Sequence, residues 1–211
     1  MMKIAILLLM SVAVLGCGAG SQKAVDGTAP ANAPKYTADG RMIFPENYRQ
    51  WVFLTSGVDM SYNPKGAGME HSTFDNVFVN PEAYREFLQT GTWPDKTILM
   101  LEVRMAGSHA SINKSGHFQT ELMGREVHVK DASRFAGEWA FFGFDDAAPS
   151  QQIPTEASCY SCHQQHAAVD TTFVQFYPTL IEIAKSKSTL SAEYTREEAA
   201  KGAETKNGTR P

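Results

Sequence analysis

The sequence predicts an α+β fold: an antiparallel β-sheet with flanking helices and a helical C-terminal segment. Between Trp51 and Phe144, short apolar runs alternate with turns rich in Gly, Pro and Asn, which is how strands are punctuated. From Thr171 to about Lys187 the spacing changes, and Phe173, Phe176, Tyr177, Leu180, Ile181 and Ala184 recur at helical intervals. With 211 residues and 43% hydrophobic composition the chain can bury one substantial core, whereas both of its ends have compositions that cannot. One domain over residues 40–187 follows.

In chain order, Pro45 opens a short helical turn over Glu46–Gln50, and Trp51–Thr55 reads as a strand. A Gly- and Pro-bearing loop at 63–68 precedes a second strand, Thr73–Val79. It carries Phe74, Asn76 and Phe78 on one face and Asp75, Val77 and Val79 on the other. Asn80-Pro81 starts a helix with a capping side chain and proline in the first turn. Its apolar stripe is Tyr84, Phe87 and Leu88, and Gly91 ends it after Thr90. The longest strand is Thr97–Met105, with Leu99, Leu101 and Val103 on one face and Ile98, Met100, Glu102 and Arg104 on the other. After a loop, Gln119–Lys130 is a strand broken or bulged at Gly124. Asp131–Phe135 reads as a short capped helix, Trp139–Phe144 as an aromatic strand, and Ala147–Pro154 as a loop. Pro178 kinks or divides the final helical stretch.

The two ends carry other information. Residues 1–17 combine a short positive start with an apolar run too brief to remain in a membrane, which is the form of an export signal. Val14-Leu15-Gly16-Cys17 resembles a bacterial lipobox, in which Cys17 would take a lipid anchor; cleavage near Ala19 or Gly20 is the alternative. Residues 18–39, rich in Ala, Gly, Ser and Pro, read as a flexible linker spanning about 25 Å on average. Residues 188–211 read as a polar tail, either a frayed helix or disordered. A net charge of −4 gives no basic footprint for nucleic acid.

The chemistry-bearing stretch is Cys159-Tyr160-Ser161-Cys162-His163, on the C-terminal helical segment. Two cysteines at this spacing followed by histidine form the attachment signature of one covalent c-type haem, with Cys159 and Cys162 as thioethers and His163 as axial iron ligand. A redox dithiol or part of a zinc site are the alternatives; the first wants a strand-to-helix context, and the second two more ligands at comparable spacing. Cysteine arithmetic fits an oxidising, periplasmic address: Cys17 takes lipid, and Cys159 and Cys162 take haem.

Longer stretches of the chain resemble the cytochrome P-460 family and its sister group, the cytochromes c′-beta. They are Phe44–Val52, Val79–Tyr84, Val129–Phe135, Trp139–Phe144, Cys159–His163 and Phe173–Pro178, in the same order. The resemblance implies a periplasmic, usually homodimeric haem protein with a proximal histidine, here His163, and an open or exchangeable distal position. The P-460 enzymes oxidise hydroxylamine and carry a lysine cross-linked to the porphyrin. Aligned on Asp95-Lys96-Thr97 and Glu102, that position falls on Leu101, which has no nucleophilic nitrogen. Lys96 is an odd number of residues away and would point to the opposite face. The departure moves the chain toward the c′-beta side, which binds small gases such as nitric oxide. A distal carboxylate of the oxidisers matches Glu126, a possible proton relay whose alternative is a solvated strand residue. An arginine of theirs falls about at Asp75, read as surface or loop-facing.

Leu101, Leu99 and Phe74 are the candidate apolar distal cover, with simple core packing as the alternative for each. His71, His109, His117 and His128 are chemically able to supply a sixth ligand, but no pattern supports any of them; His166 reads as a solvated helix residue. Met100, Met105 and Met123 could also ligate and would make an electron-transfer cytochrome, though methionine in strands is usually core filling. Three functions therefore stand: a five-coordinate haem holding nitric oxide or a similar ligand, a hydroxylamine- or peroxide-using oxidoreductase, and a six-coordinate electron carrier with an unnamed redox partner.

Overall fold

A computed structural model describes residues 30–61 and 72–207. Its centre is a five-stranded antiparallel sheet in which neighbours in sequence are neighbours in space. The strands are β1 (Val52–Val58), β2 (Thr73–Val79), β3 (Ile98–Gly107), β4 (Phe118–Lys130) and β5 (Trp139–Phe144). Helix α1 (Pro81–Thr90) connects β2 to β3, and α2 (Ser158–His166), α3 (Ile181–Lys187) and α4 (Ala192–Asn207) follow the sheet. This is the α+β architecture read from the pattern of strands followed by helices. Among the described residues no helix is long and apolar enough to cross a membrane.

Period-two alternation gives the sheet two faces, each buried under different material. Ile98, Met100, Val127, Val129, Ala140, Phe142 and Phe144 pack on one face beneath Met42, Phe44, Tyr48 and Trp51. Val79, Leu99 and Trp139 pack on the other beneath Ala83 and Phe87 of α1, Val174, Tyr177 and Leu180, and Ala184 of α3. Phe87 and Trp93 meet there with ring centroids 4.3 Å apart, and burial of a side chain such as Phe87 contributes about 1.5–3 kcal/mol.

Local chemistry explains where several elements stop. Gly91 closes α1 with φ +76° and an N–H donated to the Phe87 carbonyl at 2.8 Å, a left-handed position that glycine adopts without strain. A side chain there would also strike α3, because an added Cβ would lie 2.8 Å from the Lys187 Cβ. At β4 the register with β3 slips between Val103 opposite Gly124 and Arg104 opposite Leu122, which is the bulge expected at Gly124.

Three local readings need correction. The Asn80 side chain does not cap α1; its Oδ1 accepts from the Ile98 N–H at 2.8 Å, and its Nδ2 donates to the Lys96 carbonyl at 3.2 Å, tying the helix start to β3. Asp131–Phe135 is a hydrogen-bonded turn, not a helix, with the Arg134 and Phe135 N–H groups both donating to the Asp131 carbonyl. The stretch 171–187 is divided at Pro178 as its sequence indicates, with a 3-10 turn at Val174–Phe176 before it and α3 after it, because proline cannot continue the hydrogen-bond ladder. Residues 192–207 form a full helix. Its start is held by Ser191, whose hydroxyl donates to the Ala167 carbonyl at 2.6 Å and accepts from the Tyr194 N–H at 3.1 Å.

Residues 1–29, on which the expected export signal and Cys17 fall, lie outside the described residues, as do the 63–68 loop and His71.

Candidate functional site

The helix-covered face of the sheet continues into a cavity of about 570 Å³. Thr55 and Gly57 of β1, Asp75 and Val77 of β2, Leu99 and Leu101 of β3, and Glu126 and His128 of β4 form its sheet wall. The cross-strand register sets the composition of that wall: Leu101 lies between Val77 on one side and Glu126 on the other. Adjacent strands present the same pleat face, so an apolar centre is bordered by carboxylates.

The opposite wall comes from α2 and the 172–177 segment, with Cys159, Cys162, His163, Phe173 and Tyr177. Tyr160 fixes the motif helix to the sheet. Its hydroxyl donates to the Ile153 carbonyl at 3.0 Å and accepts from the Phe141 N–H and the Gln152 amide, each at 3.2 Å. Side chains on either side of Tyr160 can therefore be held toward the cavity. Both cysteines are unpaired and half-buried, and burial pushes both thiols up from their ordinary pKa, with the Glu126 carboxylate adding to the rise at Cys159. A redox dithiol uses the reverse shift.

His163 Nδ1 lies 2.7 Å from the Thr171 carbonyl oxygen. A carbonyl only accepts, so Nδ1 carries the proton and Nε2 the lone pair. The ring sits among Phe173 (centroids 4.2 Å apart), Phe141 (4.8 Å) and His128 (5.0 Å). Burial lowers its proton affinity, and the bond to Thr171 acts in the opposite sense; the neutral ring is the form that ligates metal.

Leu99 and Leu101 line the cavity, but Phe74 does not: it lies on the other face of β2, and Asp75 and Val77 line the cavity from that strand. The alternation of β2 already separated Phe74 from Val77, and the pairing of Val77 with Leu101 decides which set faces the cavity. Asp75, read as surface or loop-facing, is a lining residue. Burial raises its pKa, and the neighbouring carboxylates Asp59 and Glu126 raise it further. Glu126 lines the same cavity at an exposed position.

Of the described histidines, His128 alone joins His163 at the cavity. Met100 is buried on the far face, and Met123 is 52% exposed. Sequence reasoning did not single out Met60, which lines the cavity and folds over Gly57: a Cβ on Gly57 would lie 2.3 Å from its sulfur. Lys96 pairs with Asp131 instead of approaching the cavity. His166 is not simply solvated, since its Nδ1 lies 3.1 Å from Glu197 of α4.

These residues fit a haem. The cavity volume falls in the range of about 300–1,000 Å³ usual for cofactor sites. Two neutral thiols and a histidine with its outer nitrogen engaged open onto an apolar surface. Among the described residues no group of three or more His, Cys, Asp and Glu side chains is arranged to hold a metal ion, as a zinc site would require. An antiparallel sheet covered on one face by helices, with a Cys- and His-lined cavity between them, is the frame of a sheet-built cytochrome. The family model of Cytochrome P460 matches residues 45–174, more than half of the chain, and the chain belongs to that family of haem cytochromes. No curated protein matches it.

Proposed function

We propose that this chain is an exported cytochrome carrying one haem c, and that it holds a small neutral ligand such as nitric oxide at a five-coordinate iron. Cys159 and Cys162 would carry the thioethers and His163 the iron, with the Thr171 carbonyl fixing its tautomer. The observation that carries the ligand-binding reading is Leu101. It lies in the sheet wall beside Val77 and Leu99, at the position where the resemblance places the cross-linking lysine of the hydroxylamine oxidisers.

Bound haem supplies an iron able to take a diatomic ligand and to exchange one electron. What the chain adds is selectivity. The apolar patch excludes water and offers no hydrogen-bond donor to a bound ligand. Asp75 and Glu126 place negative charge at its border and disfavour anionic ligands. The export signal and lipid-bearing Cys17 would hold the protein on the periplasmic side of a bacterial membrane, as a homodimer by its family resemblance.

A second reading has its own observation. Glu126 and Asp75 line one cavity, and a carboxylate at a haem site can relay protons in hydroxylamine or peroxide oxidation. Optical spectra of the purified protein, reduced and oxidised, with and without nitric oxide, separate the readings. A high-spin ferrous spectrum converted by nitric oxide supports the first. Low-spin bands in both oxidation states that nitric oxide leaves unchanged would defeat it in favour of a six-coordinate carrier. Hydroxylamine turnover with an artificial electron acceptor would support the second.

A further inference from the structure

His128 is 7% exposed and lies in the middle of the sheet. It is opposite Leu99 on β3 and Phe141 on β5. Its ring stacks on Phe141 with centroids 4.0 Å apart and planes 8° apart, and it meets the His163 ring edge-on at 5.0 Å and 77°. Its Nε2 lies 3.2 Å from the Thr171 hydroxyl. Thr171 is also the residue whose carbonyl accepts from His163 Nδ1.

The carbonyl in question belongs to the peptide joining Thr171 to Thr172, so two side chains bracket it. On the far side, Thr172 is 1% exposed, and its hydroxyl accepts from the Trp93 indole N–H at 2.7 Å. On the near side, the Thr171 hydroxyl meets His128. The preceding residue, Asp170, has φ +51°, a left-handed conformation that persists only where surroundings enforce it. Its carboxylate is 3.6 Å from the Lys130 ammonium.

We propose that His128 is a positioning residue for the axial imidazole: through the Thr171 hydroxyl it aims the Thr171 carbonyl at His163 Nδ1, and its ring edge limits rotation of the His163 ring. This rests on the reading of His163 as the iron's axial ligand. A hydrogen bond accepted from the outer nitrogen of a ligating histidine raises the basicity of the inner one and fixes ring orientation. A more basic ligand favours the ferric state, so loosening the carbonyl weakens the iron–imidazole bond and raises the reduction potential.

The test is resonance Raman spectroscopy of the ferrous haem-loaded protein, together with its reduction potential, in His128→Phe, Thr171→Val, the double variant and His128→Gln. His128→Phe keeps an aromatic ring against Phe141 but removes both nitrogens, and Thr171→Val removes the hydroxyl but keeps the carbonyl. Both single variants are expected to move the iron–imidazole stretching band to lower frequency and to raise the potential. The double variant should go no further than His128→Phe, and His128→Gln, with an amide that can reach the Nε2 position, should return toward wild type. A band and potential unmoved in Thr171→Val overturn the proposal even if His128→Phe fails to load haem, and so does an unmoved His128→Phe. A wild-type ferrous protein that is high-spin and five-coordinate by its optical spectrum yet shows no iron–imidazole band would instead overturn the His163 reading, and the proposal with it. A wild-type band that no variant moves overturns the role of His128 alone.

Discussion

Replacing Glu102 by Gln tests whether the wall that Leu101 presents to the cavity is held from behind. Glu102 follows Leu101 on β3, faces the opposite side of the sheet and is 1% exposed. Its carboxylate accepts from the Tyr48 hydroxyl, from Arg49, from Arg104 Nε at 2.7 Å and from Asn76 Nδ2 at 3.5 Å. A shift of β3 by one residue would carry this charge to the cavity side and take Leu99 and Leu101 out of it, so the network fixes the register. Removing one partner of a buried ion pair costs about 3–5 kcal/mol. Arg49 is half-exposed and Arg104 partly so, and glutamine keeps an acceptor, so about 2–3 kcal/mol is expected here. For a chain of this size that lowers Tm by about 4–12 °C. The acid limb supplies a second signature. Burial alone would raise the Glu102 pKa, but Tyr48, Arg104 and Arg49 together hold it below the ordinary value of 4.5. The carboxylate therefore contributes stability above that value, lost as pH falls through the lower folded pKa. Thermal unfolding of the haem-loaded protein at neutral and acid pH, followed by circular dichroism, should show E102Q melting earlier at neutral pH and losing less on acidification. A variant melting within about 2 °C of wild type, as surface substitutions do, with an unaltered acid limb would refute the argument.

Three further outcomes follow from the same contacts. Leu99→Ala, at a position 4% exposed between core and cavity, should cost about 2–4 kcal/mol in denaturant unfolding; a loss below about 1 kcal/mol would place Leu99 outside the packed wall. Asp75 has a raised folded pKa, so between its unfolded and folded values stability falls as pH rises, and Asp75→Asn should flatten that slope in a pH series of unfolding curves. Ser191→Ala removes the cap of α4 and its tie to Ala167. It should cost about 1 kcal/mol and speed hydrogen exchange across residues 192–207, and unchanged exchange there would show that the helix is held elsewhere.

The fold was legible where patterning was strong. Alternation in Thr73–Val79, the Pro81 start and Gly91 stop of α1, and the aromatic run Trp139–Phe144 each give an element with the bounds read from sequence. Sequence was least informative where a side chain acts across the fold. Asn80 has the look of a helix cap, yet its amide serves β3. Residues 192–207 contain few apolar side chains, but Leu190 and Tyr194 dock the helix on the core. The cavity shows the same division. The spacing of Cys159, Cys162 and His163 is written in the chain, and the alternation of β3 puts Leu99 and Leu101 together. Which face of β2 joins them depends on pairing between strands, so alternation alone does not tell whether Phe74 or Asp75 and Val77 line the cavity. His128 carried no local pattern because its partners, Phe141, His163 and Thr171, come from three later segments.

The measurement that bears most directly on the account is the intact mass of the purified protein after denaturation and acid-acetone extraction, with the Cys159→Ala/Cys162→Ala double variant alongside. A polypeptide that retains the mass of one haem, lost when both cysteines are replaced, is the predicted result. Haem that extracts completely from the wild-type chain, leaving the mass of the polypeptide alone, would contradict it.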